Sequence, residues 1–215
     1  MLILTNCGGV AMTNAFLVAD EIEKKAVLFD APDHTAAPLL EEAHKRGWTL
    51  EGLWLTHGHF DHFADHANVK KRFPDARILL HELDCKKAEH PEVQTRFFGL
   101  PFVIPPLTPD AHVTDNQTLR FGSLEAIVLH TPGHSPGHVA YYLPAQNLLI
   151  GGDLIIGGSV GRTDLPDSNP LDMESSIRRV MALPPDTKLL GGHGPASNLD
   201  RERQRNPFVQ AALAT

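Results

Sequence analysis

The stretch LWLTHGHFDH, Leu53–His62, packs His57, His59, Asp61 and His62 into six residues. Neutral imidazoles and a carboxylate are ligands that zinc, iron and manganese accept. An apolar strand runs up to Thr56, and alternate residues on an extended segment point the same way, so His57 and His59 project to one side. Asp61 and His62 then turn into the next segment and reach a point beside that pair. Two histidines at i, i+2 cannot close a metal site, so further ligands must come from elsewhere. His134 in LHTPGHSPGH, Asp153 in LLIGGDLI and His193 in LLGGHGP each stand just after an apolar strand and are each preceded by glycine. Glycine there lets the backbone turn tightly and approach an ion. Strand ends converging on one rim are where open sheets place their sites.

The elements that must position these residues read as strands and helices in alternation. Met1–Asn6, Asn14–Asp20 and Lys25–Asp30 are short strands, with Asp20–Lys24 as a hairpin turn. A helix is expected over His34–Arg46, stopped by Gly47, then a buried strand at Leu50–Thr56, a helix at Ala64–Phe73 and a strand at Ala76–His81. Glu89–Asp115 breaks the pattern: five prolines and Phe97, Phe98 and Phe102 read as a long loop, either a lid or a proline-stiffened crossover plugging the core. The strand series resumes at Gln117–Phe121, Leu124–His130, His138–Leu143 and Asn147–Ile150. A helix follows over Pro170–Leu183, then a short strand at Thr187–Leu190 and a helical tail from Asn198. The expected class is α/β (α+β), with two sheets face to face and helices outside, a four-layer αββα sandwich. The expected domain is a single one over residues 1–215.

Composition narrows the function classes. Hydrophobic residues make up 42% and charged residues 21% of 215, which is ordinary globular usage and excludes disorder and fibres. Thirteen histidines, against about five in an average chain of this length, accompany a net charge of −7, which favours metal chemistry over bulk-charge binding of nucleic acid or membrane. Two cysteines, Cys7 and Cys85, are too few for a disulfide framework and read as structural thiols. No apolar run reaches the roughly 18 residues of a membrane span. The expectation is a cytoplasmic protein acting on a small molecule, with no nucleic-acid or membrane partner and an oligomeric state left open.

With those motifs in place, the chain resembles the metallo-β-lactamase fold superfamily, in its short glyoxalase II (hydroxyacylglutathione hydrolase) branch. The carriers are His-x-His-x-Asp-His with the later His, Asp and His, then TPGHSPGH, GRTDLP and NPF at Asn206–Phe208. The resemblance implies that His57, His59 and His134 bind one metal, that Asp61, His62 and His193 bind a second, and that Asp153 bridges them. It implies two divalent ions, with zinc expected and iron or manganese as alternatives. It further implies hydrolysis of a thioester such as S-lactoylglutathione by a metal-bound hydroxide, with Asp61 orienting the nucleophile and accepting its proton. A thiolate departs without the protonation that an amide nitrogen requires, which suits a thioester.

Some residues depart from the family or stay open. The C-terminal helical domain that serves glutathione in longer relatives is not expected in the 22 residues after His193. Glutathione recognition would then fall to the long loop, the tail arginines Arg201, Arg203 and Arg205, or Arg162. Arg162 either meets an anionic substrate or pairs with Asp164. His138 is either an orienting partner of a ligand or a packed strand histidine. Phe63-Ala64-Asp65 stands where relatives carry smaller residues. Mononuclear iron persulfide dioxygenases resemble this chain through GRTD, but carry TPGH-x-x-Gly-Cys where it has His138. That enzyme, or a hydrolase of another ester, a lactone or a β-lactam, is the alternative.

Overall fold

The computed structural model describes residues 1–214. These form two compact units, one of Met1–Val113 with Arg120–Leu124, the other of Thr114–Leu119 with Glu125 onward.

The first unit holds a mixed six-stranded sheet in the order β1-β2-β3-β4-β5-β6. Strands β1 (Leu2–Gly8), β2 (Thr13–Asp20) and β3 (Lys25–Phe29) form an antiparallel meander, and β4 (Thr49–Trp54), β5 (Arg77–His81) and β6 (Ala111–Val113) add in parallel. Parallel neighbours need crossovers, and here they are helical. Helix α1 (Ala36–Lys45) joins β3 to β4, burying Ala36, Leu39, Leu40 and Ala43 on one face and ending at Arg46 and Gly47. Its first backbone N–H is capped by Asp65 Oδ2 at 2.8 Å. The short α2 (Phe60–Phe63) and α3 (His66–Arg72) join β4 to β5. The core runs through Leu17, Leu28, Leu53, Leu55, Phe63 and Leu80, each fully buried.

The expected long loop over Glu89–Asp115 is corrected. Helix α4 (Cys85–Glu89) runs up to it, α5 (Pro91–Phe97) lies inside it, and β6 closes it. Pro91 sits in the first turn of α5, where its missing N–H costs nothing, so it starts a helix instead of breaking one. Ile104 and Leu107 are buried in the first unit's core and Phe102 packs against it, but Phe97 and Phe98 are exposed, so of the three aromatics expected to plug the core only Phe102 does so.

The second unit carries the sheet order β12-β11-β10-β9-β8-β7. Its strands are β7 (Thr118–Phe121), β8 (Leu124–His130), β9 (Val139–Leu143), β10 (Leu148–Gly152), β11 (Lys188–Gly191) and β12 (Ser197–Asn198). Helix α6 (Pro170–Val180) crosses from β10 to its parallel neighbour β11. Pro170 opens it, the Asn169 side chain accepts from the N–H groups of Leu171 and Asp172, and Met173, Ile177 and Val180 face the core. The tail expected as one helix is two, α7 (Leu199–Arg205) and α8 (Pro207–Ala214). Two mixed α/β units with helices packed on their sheets are the components expected of the αββα class. No described helix is long and apolar enough to cross a membrane.

One buried histidine makes stability depend on pH. His66 Nδ1 lies 2.9 Å from Phe63 O, and burial pushes the ring's pKa below its ordinary value despite the Phe63 and Pro106 carbonyls, which favour the charged form. The unfolded chain then binds the proton more readily, so the contribution is fully present above about pH 6.5 and is lost as pH falls toward the depressed folded value. The melting temperature of wild type should fall more steeply from pH 7 to pH 5 than that of His66→Gln. Parallel curves would exclude His66 as the cause.

Candidate metal centre

The first unit's ligands leave the C-terminal end of β4, where Thr56, His57, His59, Asp61 and His62 follow one another within seven residues. Their orientation starts on the neighbouring strand. In the parallel pair β3/β4, Phe29 stands opposite Trp54, so Asp30 emerges beside Leu55 and Thr56. The Asp30 carboxylate is buried and accepts three hydrogen bonds. Thr56 N–H donates to Oδ1 at 2.8 Å, while the Thr56 hydroxyl and His62 Nδ1 reach Oδ2, each at 2.8 Å. With its hydroxyl proton committed to Asp30, Thr56 Oγ1 accepts from His57 Nδ1 at 3.1 Å. Both rings therefore carry their proton on Nδ1 and turn Nε2 outward as a lone pair, the form a metal binds. Nε2 of His57 and of His62 is buried.

His57 and His59 pack edge to face with centroids 4.7 Å apart, and His57 and His62 lie at 4.0 Å. Asp61 Oδ2 accepts from the Thr13 hydroxyl at 2.7 Å and stands 3.6 Å from His62 Nε2. Three imidazoles and one carboxylate are thus gathered on the segment after β4 and the short helix α2 that follows it.

The second unit builds its own set of candidate ligands. β10 and β11 pair in parallel with Gly152 opposite Gly191, so Asp153 and His193 leave adjacent strand ends. His134 Nδ1 donates to Arg162 O at 2.8 Å, which again leaves Nε2 as the lone pair. The Nε2 atoms of His134 and His193 lie 3.4 and 3.2 Å from one oxygen of Asp153. Two imidazole nitrogens around one carboxylate oxygen make a donor set suited to a divalent cation.

His138 resolves toward the orienting alternative. It is fully buried, its Nε2 accepts the Asp153 backbone N–H at 2.9 Å, and its Nδ1 lies 2.9 Å from the Thr131 hydroxyl. It therefore holds the main chain that carries Asp153. Gly161 closes the other side, where an added Cβ would fall 2.1 Å from Asp153 O and 3.0 Å from His134 Nδ1. Arg162 and Asp164 form a two-pronged ion pair, Nε to Oδ1 at 2.6 Å and a second guanidinium nitrogen to Oδ2 at 2.8 Å, with both side chains exposed. These hydrogen bonds raise the arginine's pKa and lower the carboxylate's. The pairing foreseen for the two residues is present. Cys85 is a structural thiol, pushed up to about 11 by burial and by neighbouring carboxylates, so it stays protonated and inert at neutral pH.

Sequence reasoning missed Asp30, Thr13 and Thr56 as functional residues. Asp30 did carry a signal, since it ends the apolar strand Lys25–Phe29 as Asp153 follows β10.

These features define a metal-binding protein of the metallo-hydrolase class. The family model of the metallo-β-lactamase superfamily matches residues 8–193, and the chain belongs to that superfamily. It is 30% identical to the hydroxyacylglutathione hydrolase GloC of Haemophilus influenzae, over 92% of this chain and 93% of that one. Among solved structures it is similar to the B3 metallo-β-lactamase BLEG-1, with TM-score 0.88, 32% identity and coverage of 97% and 99%. It is also similar to TTHA1623 in a di-iron-bound form, with TM-score 0.83, 36% identity and coverage of 95% and 99%. ETHE1 from Myxococcus xanthus, at 22% identity and TM-score 0.79 over 99% of this chain and 90% of that one, shares the fold.

Asp30→Ala would leave the Thr56 N–H and the His62 Nδ1–H buried without their acceptor. Each such donor costs about 1–3 kcal/mol, so urea denaturation of the metal-free variant should show a loss of at least that size. Wild-type stability would mean that the loop is held by other contacts.

Proposed function

We propose that the two ligand sets act as one dinuclear centre, with His57, His59 and His134 on one ion, Asp61, His62 and His193 on the other, and Asp153 shared. We propose further that the chain hydrolyses a thioester of the S-lactoylglutathione type. The observation that carries this reading is the advance orientation of the ligands: His57, His62 and His134 each have Nδ1 engaged by an oxygen, so that Nε2 is the nitrogen presented to a metal. The similarity to GloC supports the thioester. Zinc is the expected ion, and the di-iron form of TTHA1623 supports iron as the alternative. A bound pair of such ions supplies Lewis acidity toward the acyl oxygen and makes a water acidic at neutral pH.

The chain's own residues do the rest. Thr13 fixes one oxygen of Asp61, so the carboxylate is aimed before substrate arrives. In this reading Asp61 orients the attacking water and accepts its proton, and the departing thiolate needs no acid. His138 and Gly161 keep Asp153 and His134 from drifting as charge develops. Arg162, exposed at the edge of the loop that orients His134, meets an anionic end of the substrate, exchanging Asp164 for it.

His59→Ala should lose both metal and turnover, read by metal analysis and by loss of thioester absorbance. Full activity in a metal-free variant would overturn the mechanism. Metal-loaded wild type should hydrolyse S-D-lactoylglutathione with kcat/KM above about 10⁴ M⁻¹s⁻¹. Absence of turnover together with oxygen uptake on glutathione persulfide would replace the hydrolase by the dioxygenase. Arg162→Ala should raise KM for an anionic thioester more than it lowers kcat, with little change in melting temperature because an exposed pair adds little stability. An unchanged KM with lost stability would return Arg162 to a structural role.

A further inference from the structure

The loop that carries His57 and His59 is gripped from outside by residues that neither ligate nor touch the reacting atoms, and all of them come from the segment between β5 and β6. Gln94, in the middle of α5, spans the loop on both sides of His59. Its Oε1 accepts the Phe60 N–H at 3.0 Å, and its Nε2 donates to Gly58 O at 3.0 Å and to Lys87 O at 3.1 Å. One backbone donor and two carbonyl acceptors leave a single orientation for the amide. Only glutamine can satisfy all three partners at that reach.

Asp84 holds the other end. Its buried carboxylate accepts the Gly58 N–H at 2.8 Å through Oδ2 and pairs with Lys87 Nζ at 3.1 Å through Oδ1. A Cβ on Gly58 would fall 2.6 Å from Asp84 O and 3.0 Å from Asp84 Cβ, so the backbone between the two histidines lies directly on Asp84. The loop thus has both polar groups of Gly58 and the N–H of Phe60 fixed by side chains. Phe98, at the end of α5, packs on Phe60 with centroids 5.5 Å apart and tightens the same junction.

We infer that Gln94 is a positioning residue for the metal-ligand pair His57 and His59, with Asp84 as its counterpart on the opposite side of Gly58. The physical reason is the narrow tolerance of a metal site. A nitrogen must reach the ion at about 2.0–2.1 Å, and a loop pinned at Gly58 and Phe60 cannot swing the His59 ring out of that range. Releasing the pins lets the loop sample other conformations, and the binding-competent fraction falls. The inference rests on reading His57 and His59 as metal ligands.

The test uses the full chain with Zn²⁺ alone as the probe. Gln94→Met keeps length and apolar bulk and removes all three hydrogen bonds. Gln94→Glu keeps the acceptor for Phe60 and loses both donations. His59→Ala serves as the control. Zinc affinity by chelator competition, the visible spectrum of the Co²⁺-substituted protein and the melting temperature of the metal-free protein are measured for each. Gln94→Met is expected to bind zinc about 10–100-fold more weakly, as loss of a residue that orients a ligand typically does, with a changed Co²⁺ spectrum and a metal-free melting temperature close to wild type. Gln94→Glu, whose second carboxylate oxygen would face the Gly58 and Lys87 carbonyls, should bind zinc at least as weakly as Gln94→Met. Wild-type affinity and spectrum in Gln94→Met, with or without a lowered melting temperature, would overturn the inference, provided His59→Ala has lost the metal. Wild-type affinity in His59→Ala would instead overturn the ligand assignment on which it rests. If Gln94→Met does not fold, Gln94→Glu decides by the same two readouts.

Discussion

A carboxylate buried between two strand ends organises the first unit's set of candidate ligands. Asp30 is taken out of water, a costly transfer unless the charge is met by donors. Here it is met by the Thr56 N–H, the Thr56 hydroxyl and the His62 ring. Those same bonds decide which nitrogen of His62, and through Thr56 which nitrogen of His57, carries a proton. Burial of one charge is thereby converted into the chemical form of two ligands. The register of β3 against β4 places the groups together, so the sheet is the frame of the site. Asp30 has φ +55, a left-handed conformation uncommon outside glycine, and Asp is among the residues that tolerate it best.

The second unit reaches the same end through backbone groups. Its histidine is oriented by a main-chain carbonyl, that of Arg162, and its aspartate is steadied through a main-chain N–H by His138. Both solutions engage Nδ1 with an oxygen, and parallel strand ends place Asp30 beside Thr56 in one unit and Asp153 near His193 in the other. The orienting partners lie far away in the chain, 26 to 32 residues for Asp30 and 28 for Arg162.

That separation explains what could be read from sequence. The candidate ligands were legible because they cluster at metal spacing or follow apolar strands behind glycine, and the sheet and helix alternation was legible from hydrophobic period. Asp30 looked like the end of an ordinary strand, Thr13 lay just outside the expected strand Asn14–Asp20, and Gln94 looked like part of a proline-rich loop. Their roles come from hydrogen bonds across 32, 48 and 36 residues that no local pattern encodes. Helix α5 was hidden because Pro91, read as a breaker, occupies the one helical position where it is welcome. Strand β6 has only three residues and pairs in parallel with β5, too little for an alternation to show. The split of the tail into α7 and α8 turns on Asn206, whose side chain accepts the N–H of Phe208 at 3.0 Å as the second helix begins.

Arg162 contributes to the molecule through two different parts of itself. Its carbonyl oxygen holds His134, while its guanidinium extends into solvent with Asp164. Every amino acid has that carbonyl, and no other has that side chain. Natural variation or laboratory selection at position 162 can therefore change the exposed group while the support of the histidine is inherited unchanged. Gly161 beside it has no such latitude, since any side chain meets the Asp153 carbonyl. Adjacent positions thus differ sharply in evolvability, one open to innovation and one closed, and a mutational library spread over this loop would be most productive starting one residue past the glycine.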